Sequence, residues 1–186
     1  MSRIAFAAIV VPLVSAMLRA QSSPPVIHLP LDSSVEDVGR LHLVPEAFGP
    51  SRVFEPGVIG GAIHFGTGAN GVRYSVVDPS LFGGDLTVEL WARRDVNDTP
   101  HITHKLLSFG AFDLSADVGT DLDRNRVSAL FRTGRGGIAR LTTRAPVSAL
   151  HWTHIAVVVD ASRREARIYV DGVIAGTSPN IDPLTP

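Results

Sequence analysis

Short runs of apolar and polar residues, separated by turn clusters, follow one another along the chain from Val26 onward. Such runs favour β-strands, and no segment carries the 3.6-residue period of an amphipathic helix. The runs recur about every 10 residues, as in an antiparallel sandwich or barrel. The predicted strands lie near 26–31, 62–65, 72–77, 85–93, 105–109, 126–132, 137–143, 152–159, 166–171 and 173–177.

Two of these strands also indicate which face is buried. Along 86–93, the apolar residues at the even positions alternate with a polar set that includes Trp91. Because successive side chains of a strand point to opposite sides, one face is expected in the core and the other is polar with one aromatic ring. The segment 155–159 is apolar at every position, which predicts a central strand covered on both sides.

The N-terminus has the three-part pattern of a secretory signal peptide. A positive start at Arg3 precedes an apolar run at 4–18. This run of about fifteen residues is shorter than the roughly 20 that a membrane span needs. We therefore expect residues 1–20 to be removed on export, leaving a polar leader at 21–25 before a domain at 26–186; a retained N-terminal anchor is the alternative.

Composition narrows the range of functions. The chain of 186 residues is 45% hydrophobic, which excludes a fully disordered protein. Its 17 basic and 18 acidic side chains nearly balance, so nucleic-acid binding has no support. The sequence contains no cysteine, which excludes a disulfide scaffold, a thiolate zinc site and a cysteine nucleophile.

Several motifs together carry a family resemblance. The chain has GGAIHFG, VRY, LTVELW, WTHIAV and RIYVDG in this order, at 60–66, 72–74, 86–91, 152–157 and 167–172. In order and spacing they resemble the laminin-G-like, concanavalin A-like jelly-roll domains of secreted proteins, from about Val26 to the end. The fold class expected is therefore all-β, a concanavalin A-like antiparallel β-sandwich or jelly roll.

The resemblance implies two antiparallel sheets packed face to face, one of them concave. It also implies extracellular recognition of glycans or proteins, often with one Ca²⁺ at the rim and usually without catalysis. Domains of this family continue past the YVDG hairpin with a Gly-containing strand and a last Asp-bearing strand. Only 173–186 follow that hairpin here. The domain at 26–186 is therefore expected to lack its last one or two strands.

Catalytic chemistry finds little support in the sequence. Glucanases of the wider fold carry acidic residues spaced i, i+2, i+4 on one strand, and retaining enzymes need two carboxyls about 5 Å apart. Glu89 instead has Thr87 and Trp91 at its same-face positions, and no Gly-x-Ser-x-Gly motif exists. We expect a secreted, non-catalytic, carbohydrate-binding (lectin-like) recognition module within a larger extracellular protein; a catalytic or accessory domain of a secreted glycoside hydrolase, or a protein-binding adhesion module, is the alternative.

Asp32 is the one predicted metal ligand. The resemblance implies that an Asp at the end of the first strand holds Ca²⁺, completed by backbone carbonyls and an acidic residue of the C-terminal strand. The DxDxN run at 121–125 lacks the Gly and Glu of a helix-loop-helix calcium site. The histidine pairs 101/104 and 151/154 have i, i+3 spacing, which on a strand places the two rings on opposite faces.

The predicted ligand-binding residues are two aromatic and two basic side chains. Tyr74 and Trp91 are candidates for stacking on a sugar, although Trp91 could equally lie between the sheets. Six arginines within 124–144 favour either recognition of sulfated or uronic glycans, through Arg132 and Arg140, or a solvated outer sheet face. The expected partner is a glycan or an extracellular protein, with no nucleic acid and no membrane span after signal cleavage.

Overall fold

The structure of the protein is a computed structural model that describes residues 4–7, 25, 27–48, 52–65, 71–74, 84–94, 102–109, 112–118, 124–133, 137–148 and 150–182. These residues form strands and connecting segments, without a helix. The strands are β1 Ile4–Ala7, β2 Pro45–Phe48, β3 Arg52–Pro56, β4 Gly61–Phe65, β5 Gly71–Tyr74, β6 Leu86–Arg94, β7 Ile102–Phe109, β8 Phe112–Val118, β9 Arg124–Arg132, β10 Ile138–Thr142, β11 Thr153–Asp160, β12 Glu165–Val170 and β13 Val173–Pro179.

The strands form two large antiparallel sheets and one small one. The first sheet has the order β13-β12-β11-β6-β1-β4-β3, and the second has the order β10-β9-β8-β7. Strands β2 and β5 pair separately. The predicted all-β antiparallel sandwich is confirmed. No helix in the described part of the chain has the length and apolar character needed to cross a membrane.

The core lies between the two large sheets. Buried apolar residues of β6, β11 and β12 pack against buried residues of β9 and β10. The largest fully buried side chain is Phe131 of β9. Ile155 of β11 and Ile168 of β12 are also fully buried. Such close-packed apolar contact supplies the main stabilisation of a sandwich.

The two faces predicted for the clearest strands are confirmed. Leu90 of β6 is buried in the core, and the other even-numbered residues of 86–92 pack against it. Strand β11 lies between β6 and β12, with Ile155, Val157 and Val159 buried on one face and Ala156 buried on the other. Nine of the ten predicted strands overlap β4–β7 and β9–β13.

The strand predicted at 26–31 is wrong. Its described residues have no strand conformation, and Leu31 has a φ of 58°, outside the extended region. The buried carboxylate of Asp37 accepts the backbone N–H groups of His28, Gly39 and Leu43 at 2.7, 2.8 and 2.9 Å. This side chain takes over backbone donors that a sheet ladder would otherwise satisfy, and the segment folds into a compact loop.

Strands β1, β2, β3 and β8 were not predicted. Strand β1 lies inside the segment predicted to be a signal peptide, and in the complete chain it pairs with β4 and β6. Removal of residues 1–20 on export stays a prediction. Strand β8 has the alternating sequence FDLSADV, so its period-2 pattern was available in the sequence.

Asp160 stabilises the turn between β11 and β12, and its hydrogen bonds make part of the stability of the fold sensitive to acid. Its carboxylate accepts the Ser162 hydroxyl at 2.6 Å, the Arg163 N–H at 2.8 Å and the Arg163 guanidinium at 2.9 Å. These bonds, the Ser162 hydroxyl foremost, lower the pKa of Asp160 from 3.8 to about 2. Because the folded pKa is the lower one, this stabilisation is present above about pH 4 and is lost as the pH falls towards 2.

We expect Asp160→Asn to lose part of that acid dependence. The fall in melting temperature between pH 5 and pH 2 should be smaller in the variant than in the wild type, measured by circular dichroism. Glu36→Gln, at an exposed carboxylate elsewhere, is the control and should keep the wild-type slope. Equal acid dependence in wild type and Asp160→Asn would contradict the prediction.

Candidate binding face

The outward side of the seven-stranded sheet carries a group of aromatic and charged side chains. Since Leu90 of β6 faces the core, its neighbours Glu89 and Trp91 face outward, and Arg93 follows on the same side. Trp91 pairs with His154 of β11 in the ladder, so that residue faces outward too. We call this surface the tryptophan face; it consists of Glu55, His64, Glu89, Trp91, Arg93, Trp152 and His154.

Both tryptophans of the chain lie on this face rather than in the core cluster. The ring of Trp91 stands against the imidazole of His154, with centroids 5.1 Å apart and planes tilted by 51°. The guanidinium carbon of Arg93 lies 5.0 Å from the ring centroid of Trp152, within cation–π range. Each indole is therefore held by a polar neighbour from the adjacent strand.

Two glutamates position those polar neighbours. Glu55 of β3 accepts from Arg93 at 2.8 Å and contacts Nδ1 of His64 at 3.2 Å. Glu89 lies 3.5 Å from Nε2 of His154. The His154 and Glu89 side chains are only 12% and 17% exposed, so this contact is largely shielded from bulk water. These contacts hold the Arg93 and His154 side chains, which lie against Trp152 and Trp91.

The indole N–H of Trp91 is buried and has no hydrogen-bond partner among the described residues. Buried donors are satisfied in the great majority of cases, so an unmet one calls for an explanation. The Nε atom of Arg126, on the other large sheet, is a second such donor. The indole N–H of Trp91 is therefore a buried donor that an ordered water would complete.

The carboxylates of this face do not form a glycosidase pair. Glu55 lies on β3 and Glu89 on β6, with β1 and β4 between them. Three strand spacings separate the two backbones by about 14 Å. Glu89 turns to His154 on β11, the side of β6 away from β3. Glycosidase mechanisms place the two carboxyls about 5 to 9.5 Å apart, whereas here Glu55 contacts Arg93 and His64 and Glu89 contacts His154, so separate partners engage the two carboxylates.

Arg132 and Arg140 lie together, but on the opposite side of the sandwich from Trp91. Both are exposed on the outward face of the four-stranded sheet, because the alternate residues Phe131 and Leu141 are buried. They are diagonal neighbours in the β9–β10 ladder. The Arg140 guanidinium donates to the Ser128 hydroxyl at 3.3 Å. The structure therefore joins the two arginines and separates them from the predicted aromatic partner.

Tyr74 serves a different surface again. Its hydroxyl donates to the carbonyl oxygen of Val35 at 2.6 Å. Strand β5, which carries Tyr74, belongs to the small sheet with β2. This bond ties β5 to the loop at 27–44, which gives the hydroxyl a structural role. The four predicted ligand-binding residues thus fall on three surfaces.

Asp32 closes the hairpin between β3 and β4. Its Oδ1 accepts the Gly61 N–H at 2.8 Å. Within the described residues, no group of three or more His, Asp or Glu side chains could hold a metal ion. A calcium site needs six to eight oxygens, and the described residues supply one carboxylate here that already accepts a hydrogen bond. The described donor set does not fit a complete calcium site, and a Ca²⁺ at Asp32 stays a prediction.

The same hairpin explains why two adjacent glycines, Gly60 and Gly61, stand at the start of β4. Gly60 has a φ of 65°, and a Cβ on Gly61 would lie 2.1 Å from the Asp32 carbonyl oxygen. We expect Gly61→Ala to lower the free energy of unfolding by about 1–3 kcal/mol, as forced overpacking does, measured by urea denaturation. Gly84→Ala is the control, because a Cβ there meets nothing within 4 Å. Equal stability of the two variants would show that the close approach to Asp32 has no energetic consequence.

Of the other residues named in the sequence analysis, some belong to the described part of the chain and some do not. His154 lies on the tryptophan face, whereas His151 is exposed before β11. His101, Asp121, Asp123 and Arg135 lie outside the described residues. Sequence reasoning placed Arg93 on the same side of its strand as Trp91, but it named neither Arg93 nor Trp152 as a binding residue. Trp152 stands two positions before His154, so the strand period could have placed it on the same side.

The sequence was compared with family models and with proteins of known structure. Residues 66–186 match the laminin G model described as the concanavalin A-like lectin/glucanases superfamily. The chain belongs to this superfamily. The core of its fold and the tryptophan face both include strands of the matched region, although β3 and β4 precede it. No curated protein matches the sequence.

Solved structures share the fold of this superfamily member at low sequence identity. The binding domain of Paraclostridial Mosquitocidal Protein 1 superposes with a TM-score of 0.68 at 15% identity, covering 88% of this chain and 42% of that one. The Botulinum Neurotoxin Type G receptor binding domain gives a TM-score of 0.54 at 13% identity, covering 82% and 38%. The chain thus spans about two fifths of the length of these structures, and at such identities the likeness concerns the fold alone.

Proposed function

We propose that the protein is an exported, non-catalytic recognition module that binds carbohydrate through the tryptophan face. The observation that carries this proposal is the position of both tryptophans on the outward side of one sheet. They occupy diagonal positions on neighbouring strands, about 7–8 Å apart by sheet geometry. Neighbouring aromatic rings on an outward sheet face are typical of binding surfaces, where Trp is enriched.

The chemistry of the face suits a sugar. A pyranose ring offers an apolar C–H face to an aromatic ring and hydroxyl groups to charged or amide partners at its edge. Binding sites for small ligands combine apolar and aromatic walls with a few fixed polar groups. Here Trp91 and Trp152 supply the rings, while Glu89, Arg93 and His154 supply hydrogen-bonding groups held by their own ion pairs.

The comparisons support a binding role. The superfamily description includes lectins, and two of the structures with the same fold are the binding domain of a mosquitocidal protein and the receptor binding domain of a neurotoxin. Because glucanases share the description, the separation of Glu55 from Glu89 is the further argument against catalysis. Export follows from the predicted signal peptide at 1–20 and is part of the same proposal.

A protein partner is the second candidate, favoured by one surface feature. Strand β3 lies at the edge of the seven-stranded sheet, and it and its hairpin expose apolar side chains. Val53, Phe54, Val58 and Ile59 are 61%, 41%, 38% and 53% exposed. Contiguous apolar surface at a sheet edge is typical of sites that pair with another polypeptide.

A glycan array with the full-length protein, in calcium and again in EDTA, tests the first candidate. For the glycans retained, Trp91→Ala and Trp152→Ala should each weaken binding about 5- to 30-fold, the loss of 1–2 kcal/mol that a buried aromatic contact supplies. Phe54→Ala is the control, since this exposed ring belongs to the β3 edge. No retained glycan in either buffer, or unchanged affinity in both tryptophan variants, would contradict the proposal.

The outer face of β9 and β10, which carries Arg132 and Arg140, leads to a separate prediction for charged glycans. We propose that Arg132 and Arg140 add affinity for sulfated or uronic sugars, because the two arginines are exposed diagonal neighbours on the outer face of β9 and β10. A double Arg132→Gln, Arg140→Gln variant should weaken binding to sulfated glycans and leave neutral ones unchanged. Equal binding of both glycan classes by variant and wild type would contradict this second subsite.

N-terminal sequencing tests the export part of the proposal. The protein recovered from the medium of expressing cells should begin at Gln21. Recovery of chains that retain Met1 in the membrane fraction would favour the N-terminal anchor instead. This experiment does not depend on finding the ligand, so its outcome is independent of the glycan array.

A further inference from the structure

A row of outward residues continues from the tryptophan face onto β12 and β13. Ala156 of β11 pairs with Glu89 of β6 on one side and with Tyr169 of β12 on the other. Tyr169 in turn pairs with Ile174 of β13. Directly opposite residues of an antiparallel ladder share one face of the sheet. Tyr169 and Ile174 therefore lie on the same side of the seven-stranded sheet as the two tryptophans.

A β-bulge places Ile174 on this side. The ladder between β12 and β13 pairs Ile168 with Gly176 and then shifts, so that Tyr169 pairs with Ile174 and Ala175 is passed over. Without that shift, Tyr169 would stand opposite Ala175. Ile174 would then turn to the core side, because a slip of one residue moves a side chain to the other face. The bulge thus brings a large aliphatic side chain beside an aromatic ring.

Contacts with neighbouring segments hold the bulged hairpin in place. The carbonyl oxygen of Ala175 accepts the backbone N–H of Arg144, in the segment after β10, at 2.8 Å. At the turn, the Asp171 N–H donates to the His154 carbonyl and the Asp171 carboxylate accepts the His154 N–H, both at 2.9 Å. His154 is the residue whose imidazole lies against Trp91. The hairpin is therefore tied to the tryptophan face, and bulges often re-aim a side chain beside a functional site.

The side chains of this part of the row suit a second sugar ring. Ile174 is 54% exposed, and Tyr169 is partly exposed. The Arg167 guanidinium, two residues before Tyr169 on the same side of β12, interacts with Tyr169 and donates to both carboxylate oxygens of Glu165 at 3.0 and 2.6 Å. The row thus combines an aromatic and an aliphatic surface with fixed polar groups at its border, as sites for small ligands do.

The distance from Trp91 decides the size of the ligand. Trp91 pairs with His154, whereas Tyr169, one strand beyond, pairs with Ala156. Two strand spacings across the sheet and two residues along it separate the backbones of Trp91 and Tyr169 by about 12 Å. A single pyranose ring cannot contact both side chains, but a chain of sugar rings can. The short side chain of Ala156 lies between them, where such a chain would cross β11.

We propose that Tyr169 and Ile174 form a second subsite for the glycan that the tryptophan face binds, and that this glycan is a linear oligosaccharide crossing β6, β11 and β12. One sugar unit contacts the tryptophans, and a later unit lies on the Tyr169 ring and the Ile174 side chain. The inference rests on the carbohydrate binding of the proposed function and does not depend on export. It sets a minimum length for the ligand, which a single-sugar site would not have.

The test compares ligands of different length. The full-length protein is titrated by calorimetry with cello-oligosaccharides and chito-oligosaccharides of one to six sugar units, and with the length series of every linear glycan that the array retains. In a series that binds, we expect the affinity to rise about 10-fold or more between the disaccharide and the tetrasaccharide. Tyr169→Ala and Ile174→Ser should each remove most of this rise and leave the affinity for the disaccharide unchanged. Trp91→Ala should weaken binding at every length.

Two control variants separate the subsite from a general effect on the fold. Val173→Ser changes a neighbour of Ile174 that is 70% exposed but outside the row, and it should keep the full length dependence. Tyr169→Phe retains the ring and should keep most of it.

The second subsite alone is refuted if a glycan binds in a Trp91-dependent manner but with the same affinity at every length. It is equally refuted if the length dependence persists in both Tyr169→Ala and Ile174→Ser. In either case carbohydrate binding by the tryptophan face remains. If neither the two oligosaccharide series nor any glycan of the array binds, the proposed function and the second subsite are refuted together.

Discussion

Replacing Asp37 by alanine should lower the free energy of unfolding by about 3 kcal/mol, since each stranded buried donor costs about 1–3 kcal/mol and local relaxation recovers part of the sum. The Asp37 side chain is 5% exposed and accepts three backbone N–H groups, those of His28, Gly39 and Leu43. Alanine leaves these donors without an acceptor. Urea denaturation followed by tryptophan fluorescence measures the change.

The neighbouring carboxylate provides the control for this experiment. Glu36 is exposed, so Glu36→Ala should change stability by no more than about 0.5 kcal/mol, as is usual at the surface. Asp37→Asn should fall between the two, because an amide offers one acceptor oxygen where the carboxylate uses both. Equal loss in Asp37→Ala and Glu36→Ala would show that the three hydrogen bonds do not stabilise the fold.

The loop fixed by Asp37 supports two other contacts, both remote from the tryptophan face. Val35 of this loop accepts the Tyr74 hydroxyl, and Asp32 accepts the Gly61 N–H. Asp37→Ala should therefore loosen the Asp32 hairpin and the attachment of β5. Glycan binding measured well below the melting temperature should change little, because Trp91 and Trp152 are on β6 and beside β11. A stability variant and a binding variant can thus be distinguished.

The sequence was most informative where a strand repeats every two residues. The alternation along 86–93 identified both the buried side of β6 and the outward position of Trp91. The continuous apolar run at 155–159 identified a central strand. In both cases the pattern reflects a local property, the alternation of side chains across a sheet, so one short segment contains the information.

The failures have equally specific causes. At 26–31, apolar residues suggested a strand, but Asp37 lies beyond the segment and accepts the backbone N–H of His28 within it. A single buried acid cannot be distinguished from an exposed one by type alone, and Glu36 beside it is exposed. The positive φ of Leu31 likewise has no signature in the sequence.

The candidate site required contacts that no local pattern encodes. Glu55 on β3 and Arg93 on β6 are 38 residues apart in the sequence. They meet because β6, β1, β4 and β3 follow one another in the same sheet. Alternation predicts that Trp91 and Arg140 face outward, but it does not say that they belong to opposite sheets. Strand order is a property of the whole chain, and it determines which outward residues share a surface.

The largest loss of stability is expected from Phe131→Ala. Phe131 of β9 is the largest fully buried side chain and lies in the cluster that joins the two sheets, together with Leu90, Ile155 and Ile168. Truncating a buried Phe to Ala removes its transfer free energy and leaves a cavity, which costs about 3–5 kcal/mol. Urea denaturation and the melting temperature measure this loss.

A matched control lies on the next strand. Ile138 pairs with Arg132, the residue after Phe131, and is 67% exposed. Ile138→Ala should therefore change stability by no more than about 0.5 kcal/mol. If Phe131→Ala destabilised the protein no more than Ile138→Ala, the packing of β9 against β6, β11 and β12 would be wrong. A large loss in Phe131→Ala alone would support the sandwich. It would also support the outward position of Arg132, because successive residues of β9 must face opposite sides, and that of Arg140, its diagonal neighbour on β10.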